Sequence, residues 1–239
     1  MDSKIKLLAF DLDGTVTQHK SPLEKENLEL FRALSKKYKL LMVGAGGCER
    51  IFNQLGKFPI DIIGNYGLQF AEYNYEKDEL EVKRDVVLPV DKESIDKITS
   101  ELRERFGFTE FSGDSVEYHP SGCITIAILG TKAKLSDKLA FDPDRSRRRA
   151  IHDEVKAAFP EYTVFIGGTS SFDMAPAPYD KAYALSEYCK EHGISHHEVV
   201  YFGDDFGKGG NDESVYLSDF NFVKISDYRA LPDKAAFLL

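Results

Sequence analysis

Apolar residues follow two rhythms along this chain, and the first of them marks strands. From Lys4 to Phe10 a short apolar run stops at Asp11-Leu12-Asp13-Gly14, which predicts a buried strand ending in an acidic turn. Between Pro22 and Tyr38 the apolar residues Leu23, Leu30, Phe31, Leu34 and Tyr38 fall mostly at helical spacing, with Ser21 and Pro22 as N-cap and first-turn residues. Leu40 to Val43 predicts a second strand, closed by Gly44-Ala45-Gly46-Gly47. Strand, helix and strand in that order form the βαβ unit of a parallel sheet, in which ligands collect at the carboxyl ends of the strands. The acidic turn and the glycine turn are therefore expected to face one crevice.

Past Asn65-Tyr66-Gly67 the pattern changes. Alternating segments at Glu81 to Val87, Ser115 to His119, Ile124 to Leu129 and Thr163 to Ile166 frame helical stretches near residues 91–105 and 146–158, as in an α+β unit. The earlier pattern then returns: a helix from Lys181 to Glu191, an apolar strand Val199 to Phe202 that ends at Gly203-Asp204-Asp205, and a last strand Asn221 to Ile225. The expected fold class is α/β, a Rossmann-like parallel-sheet core with an inserted α+β cap domain. The core is discontinuous, 1–84 and 178–239, and the cap covers 85–177.

Charge narrows the function. A formal net charge of −9 offers no basic face to neutralise a nucleic acid or an anionic membrane, so neither is expected as a partner. Cys48, Cys123 and Cys189 are odd in number and far apart, which predicts reduced thiols in a cytosol rather than disulfides or a thiolate metal site. The N-terminus is too charged, and its apolar run too brief, for a signal peptide. No apolar stretch approaches the roughly 20 residues that span a bilayer. Monomer and homodimer both remain open.

The chemistry lies at the strand ends. Asp11 and Asp13 alternate along an extended chain, so their side chains leave the same way and repel unless a cation or protons offset them. A polar turn is the plain alternative; a calcium loop is disfavoured because Gly14 is fourth, not sixth, from Asp11. Gly203-Asp204-Asp205, followed by Gly209-Gly210-Asn211-Asp212, places more acids at the same sheet edge. Together they make a hard-oxygen site suited to Mg²⁺. Lys181 opens a helix nearby in this pattern. The Arg145 to Arg149 run reads as the solvated face of a cap helix with Asp144 near its start, and His192 and His196 as flanks of a helix end at Gly193.

Phe10-Asp11-Leu12-Asp13-Gly14-Thr15, Lys181, and Phe202-Gly203-Asp204-Asp205 with Gly210-Asn211-Asp212 resemble three motifs of the haloacid dehalogenase-like superfamily, in its type IIB (Cof-type) branch. Gln54-Leu55-Gly56, Asn65-Tyr66-Gly67, Ile166-Gly167-Gly168, Ser171-Phe172-Asp173 and Tyr179-Asp180-Lys181 are similar, in the same order, to stretches of the eukaryotic phosphomannomutase family. The resemblance implies an aspartyl-phosphate on Asp11, with Asp13 as the acid and base, protonated for part of the cycle and so raised in pKa. It also implies Mg²⁺ on the Asp11 carboxylate, the Asp13 carbonyl and Asp204, with Asp205 or Asp212 in or near the shell. Lys181 would hold Asp11. Gly14, Ala45 and Gly46 would meet the phosphate, and Ser171 and Asp173 the rest of the substrate.

Two departures shape the expectation. The second family motif offers a hydroxyl where this chain has Gly44-Ala45-Gly46-Gly47, so a main-chain nest is expected to hold phosphate instead. The family's arginines for a distal phosphate are matched by Lys20, Ser112 and Cys123. A mutase needs that grip and a phosphatase does not. The leading expectation is thus a Mg²⁺-dependent phosphatase acting on a small phosphate ester, a sugar phosphate foremost. A phosphomannomutase is the alternative, and a silent phosphate-binding protein a further one.

Overall fold

The structure, a computed structural model, describes residues 5–239. Lys4, read above as the start of the first strand, and the N-terminal residues weighed as a leader lie outside the described residues. In chain order the elements are β1 (Leu7–Phe10), α1 (Lys25–Leu34), β2 (Lys39–Val43), α2 (Cys48–Gln54), β3 (Asp61–Gly64), β4 (Gln69–Asn74) and β5 (Glu79–Asp85). Then come α3 (Lys92–Phe106), β6 (Val116–Tyr118), β7 (Ile124–Ala127), α4 (Leu135–Phe141), α5 (Ser146–Ala158), β8 (Tyr162–Gly167) and β9 (Ser171–Pro176). The chain closes with α6 (Lys181–His192), β10 (Val199–Gly203), α7 (Glu213–Tyr216), β11 (Asn221–Lys224) and α8 (Leu231–Ala235).

Two compact units result. The first comprises the chain up to Val86 with Asp180–Gly207 and Asp212–Leu239; the second comprises Val87–Tyr179 with Lys208–Asn211. The first unit holds a seven-stranded sheet in the order β11-β10-β1-β2-β3-β4-β5, parallel from β11 through β3. Strand β1 runs Leu-Leu-Ala-Phe with every residue buried, because both faces are covered. Leu8 and Phe10 pack toward Phe31 of α1 and Phe202, while Leu7 and Ala9 pack toward Leu185 and Tyr188 of α6. The chain leaves β1 on one side through β2 and later fills the other side with β10. That makes β1 the switch point of the sheet, where a crevice opens at the carboxyl ends.

The second unit is a four-stranded antiparallel sheet, β6-β7-β9-β8, with one face packed on α3 and α5 through Ile95, Val155, Phe159, Ile126, Phe172 and Met174. The alternation of Ile124, Ile126, Phe172 and Met174 with Thr125, Ser171 and Asp173 leaves the other face polar.

Several elements differ from the sequence reading. Helix α1 starts at Lys25, not Pro22, because the Leu23 N–H is donated to the Gln54 carbonyl (3.1 Å) and holds the preceding residues extended; Ser21 caps nothing, and Glu24 stands at the cap. The helix stops at Leu34, where Lys37 and Tyr38 fold back on the Leu34 carbonyl in a turn. The strand expected at Glu81 to Val87 as part of the insert is β5, and it pairs antiparallel with β4 in the main sheet. Helix α2, strand β3 and helix α4 are too short, or in α4 too exposed, to give a periodic signal.

Candidate active site

At the carboxyl end of β1 the main chain stays in the sheet for one further bond, from the Asp11 N–H to the Phe202 carbonyl (2.9 Å), and then turns. Asp11 is thereby fixed beside the strand end that carries Asp204. Gly14 makes the turn at φ 101°, a left-handed conformation, and a Cβ on it would lie 2.6 Å from Asp204 Oδ2. Thr15 Oγ1 donates to Asp204 Oδ1 (3.1 Å), binding the acidic turn to the neighbouring strand.

Lys181 enters from the first turn of α6, whose N-cap Asp180 accepts the Tyr183 N–H (2.7 Å). Its side chain is wholly buried, and Nζ donates to Asp11 Oδ1 at 2.5 Å and to Asp212 Oδ1 at 2.8 Å. Asp212 is oriented from two more sides: the Tyr201 hydroxyl donates to its Oδ1 (2.6 Å), and the Asp205 N–H to its Oδ2 (3.0 Å). Asp11, Asp204 and Asp212 each bring an oxygen to within 4.8 Å of the others. Burial drives the Asp11 carboxyl well above its usual range, reinforced by Asp212 and Asp204 and opposed by Lys181. Burial and Asp212 likewise raise Asp204. One lysine against three acids leaves excess negative charge in a dry place, which is the donor set that a hard divalent cation fits.

Asp13 takes the opposite course from the upward shift expected of it. Burial pushes its carboxyl up, but the Gln54 amide, the Lys20 N–H and the charges of Arg50 and His19 outweigh that and hold it below the ordinary value. Gln54 Nε2 donates to Asp13 Oδ1 and to Thr17 Oγ1, each at 2.8 Å, and the Lys20 N–H reaches the same Oδ1 at 2.8 Å. Arg50 Nη2 lies 3.4 Å from Asp13 Oδ2.

The structure gathers Asp11, Lys181, Asp204 and Asp212 into one cluster, with Asp13 on the adjoining turn. Asp205 contributes main-chain bonds to Asp212, and its carboxylate is not among the three grouped acids. Ala45 and Gly46 lie in the turn after β2, where none of residues 44–47 adopts the left-handed conformation of an alternating nest. Lys20 is placed by its backbone, at φ 53°, against Asp13.

Ser171 and Asp173 lie on β9 in the second unit. Asp173 accepts from Thr125 Oγ1 (3.0 Å), which contacts His119 Nε2 (3.0 Å), and burial raises the Asp173 carboxyl. Arg148, read from sequence as solvated, is completely buried: its Nε donates to Asp142 Oδ2 (2.8 Å) and its Nη1 to the Gly167 carbonyl (2.6 Å).

Arg50 and Tyr201 are site residues that the sequence reading did not pick out, and Thr15 and Gln54 entered it only within family-like stretches, with no role of their own. For Arg50 and Gln54 the available signal is their separation of four residues in a helix that follows the glycine turn. For Tyr201 it is a lone hydroxyl within an apolar strand.

Residues 27–227 match the model of a family described as eukaryotic phosphomannomutase. The chain is similar to a phosphomannomutase of Schizosaccharomyces pombe, 28% identical over 222 residues that cover 88% of this chain and 85% of that protein. A phosphomannomutase of Spinacia oleracea is 28% identical over 239 residues, covering 92% and 90%. Among solved structures, a phosphatase of the haloalkanoate (HAD) enzyme superfamily from Bacteroides thetaiotaomicron superposes with a TM-score of 0.66 at 14% identity, covering 99% of this chain and 96% of that one. An IMP-nucleotidase of Plasmodium falciparum gives 0.64 at 18%, covering 98% and 68%. At these identities the structural likeness establishes the fold.

Proposed function

The chain belongs to the eukaryotic phosphomannomutase family, and from that premise we propose that it is a Mg²⁺-dependent enzyme that moves the phosphoryl group of a small phosphate ester, a sugar phosphate foremost, onto Asp11 and then to water. The observation that carries the reading is the set of buried Asp11, Lys181 and Asp212 with half-buried Asp204. The Asp11 carboxylate attacks phosphorus, and the ester P–O bond breaks as the leaving oxygen takes a proton from Asp13, which is ionised in the free site and takes that proton up when the anionic phosphate binds beside it. Asp13 then removes a proton from water, which attacks the phosphoaspartate, releases inorganic phosphate and regenerates Asp11. Lys181, fixed between Asp11 and Asp212, offsets the charge that otherwise keeps a phosphate from a carboxylate. Asp11, the Asp13 carbonyl and Asp204, with Asp205 or Asp212, would hold Mg²⁺, which when bound supplies the remaining positive charge. Gly14, Ala45 and Gly46 would meet the phosphate as single main-chain contacts, and Ser171 and Asp173 the rest of the substrate.

Water is favoured over a second sugar phosphate as acceptor because the positions matched to the distal-phosphate arginines carry Lys20, Ser112 and Cys123. Arg148 cannot substitute while it is locked on Asp142. Isomerisation is the second reading, and the names of the relatives favour it. Incubation of mannose 1-phosphate with a hexose bisphosphate and Mg²⁺ separates the two. Release of inorganic phosphate without accumulation of mannose 6-phosphate is expected. Efficient isomerisation with little free phosphate would overturn the hydrolytic reading.

A further inference from the structure

The turn after β2 lacks both the hydroxyl of the family's second motif and the left-handed residue of a nest, yet its space is not empty. Gly46 has the Arg50 guanidinium directly against it. A Cβ at position 46 would lie 2.3 Å from both Arg50 Nε and Nη2, and 2.7 Å from Cζ. Any side chain starting at 46 would therefore need the volume that the guanidinium fills. Helix α2 delivers it: Arg50 is the third residue of a helix that begins at Cys48, immediately after the glycines, and it points back over the turn.

The guanidinium is aimed by a firm contact and a loose one. Nη1 donates to Gln54 Oε1 at 2.8 Å, and Gln54 is itself tied to Asp13 and Thr17. Nη2 reaches Asp13 Oδ2 only at 3.4 Å. With 43% of the side chain exposed, the group is open to a ligand. We propose that Arg50, packed on Gly46, is the phosphoryl-binding side chain of this site, taking the place of the missing hydroxyl. This rests on the phosphoryl-transfer reading above. A planar fork of N–H donors matches two non-bridging oxygens of a phosphate. The Gln54 contact sets its plane, and the loose Asp13 contact is the one exchanged for a phosphate oxygen.

The test uses inorganic phosphate in Mg²⁺ as the binding probe, by calorimetry, and p-nitrophenyl phosphate as the turnover probe. Arg50→Ala is expected to weaken phosphate binding about 10- to 100-fold, the range of a lost charge-assisted hydrogen bond, with Arg50→Lys in between. Gly46→Ser alone is expected to weaken binding as well, because its Cβ evicts the guanidinium. Added to Arg50→Ala, the same serine is expected to recover part of the loss, a sign reversal that no merely structural role of Arg50 would give. Wild-type phosphate affinity in Arg50→Ala, with Asp11→Asn still inert, would overturn the role of Arg50 and leave the reaction standing. If wild type and Asp11→Asn both fail to turn over the ester, the reaction reading falls, and the affinities still decide for or against Arg50. An absence of phosphate binding by the wild type would overturn the role of Arg50.

Discussion

Asp11 and Lys181 share a dry volume with two further acids, so each side chain there is defined by its neighbours. Asp11→Asn keeps the shape and removes the nucleophilic oxygen charge. Turnover of p-nitrophenyl phosphate is expected to fall by at least about three orders of magnitude, since no second carboxylate takes the in-line position. The circular dichroism spectrum should stay that of a folded chain, and retention of more than a few per cent of activity by that folded variant would remove Asp11 from the mechanism. The gathering of Asp11, Asp204 and Asp212 is legible in the sequence because each follows the end of an apolar strand. Arg50 and Tyr201 are not: one is a charged residue in an unremarked seven-residue helix, the other an aromatic in an apolar strand, and only the tertiary fold brings them to the acids.

At the scale of elements, helix α5 shows how a charge run misleads. Arg145 to Arg149 has the composition of a solvated face, yet the turn at Asp142 brings a carboxylate to the start of the helix and draws Arg148 under it. The amides of Arg147 and Arg148 bond the same carboxylate, so the pair serves as an N-terminal anchor. Asp142→Asn leaves a buried guanidinium without its counter-charge, and a loss of about 3–5 kcal/mol of stability is expected. Burial pushes the Asp142 carboxyl up, but the bonds from Arg148 and Arg147 outweigh it and leave the carboxyl depressed. A depressed acid stabilises the fold fully above its unfolded pKa of about 3.9 and loses that contribution as pH falls through the folded value. The gap in melting temperature between wild type and Asp142→Asn should therefore be constant from neutral pH down to about 5 and close at more acidic pH. A gap that does not begin to narrow below about pH 4 would show that the carboxylate's charge is not what matters.

For the whole molecule, the imbalance of charge in the first unit is expected to make stability and activity depend on the same ion. Chelation is expected to stop turnover, and Mg²⁺ to restore it, with little use for Zn²⁺ in the absence of a soft ligand. Melting followed without substrate should rise with added Mg²⁺, because a ligand that binds only the folded state stabilises it. A flat melting curve with chelator-resistant activity would contradict the carboxylate site. The parallel order around β1 follows from strand-helix-strand patterning and is legible in the sequence. The β4–β5 hairpin that extends the sheet is not, since β5 carries charge on an exposed edge and resembles the short strands of the insert. The same strand order has a consequence for synthesis. Leu7 pairs with Val199, so the uncharged strand Leu7–Phe10 leaves the ribosome with one flank open and waits for nearly the rest of the chain. At about 5–20 residues per second that interval is on the order of ten to forty seconds. For that time an apolar sheet edge is available to the wrong partner, even though β1 is an interior strand of the finished sheet.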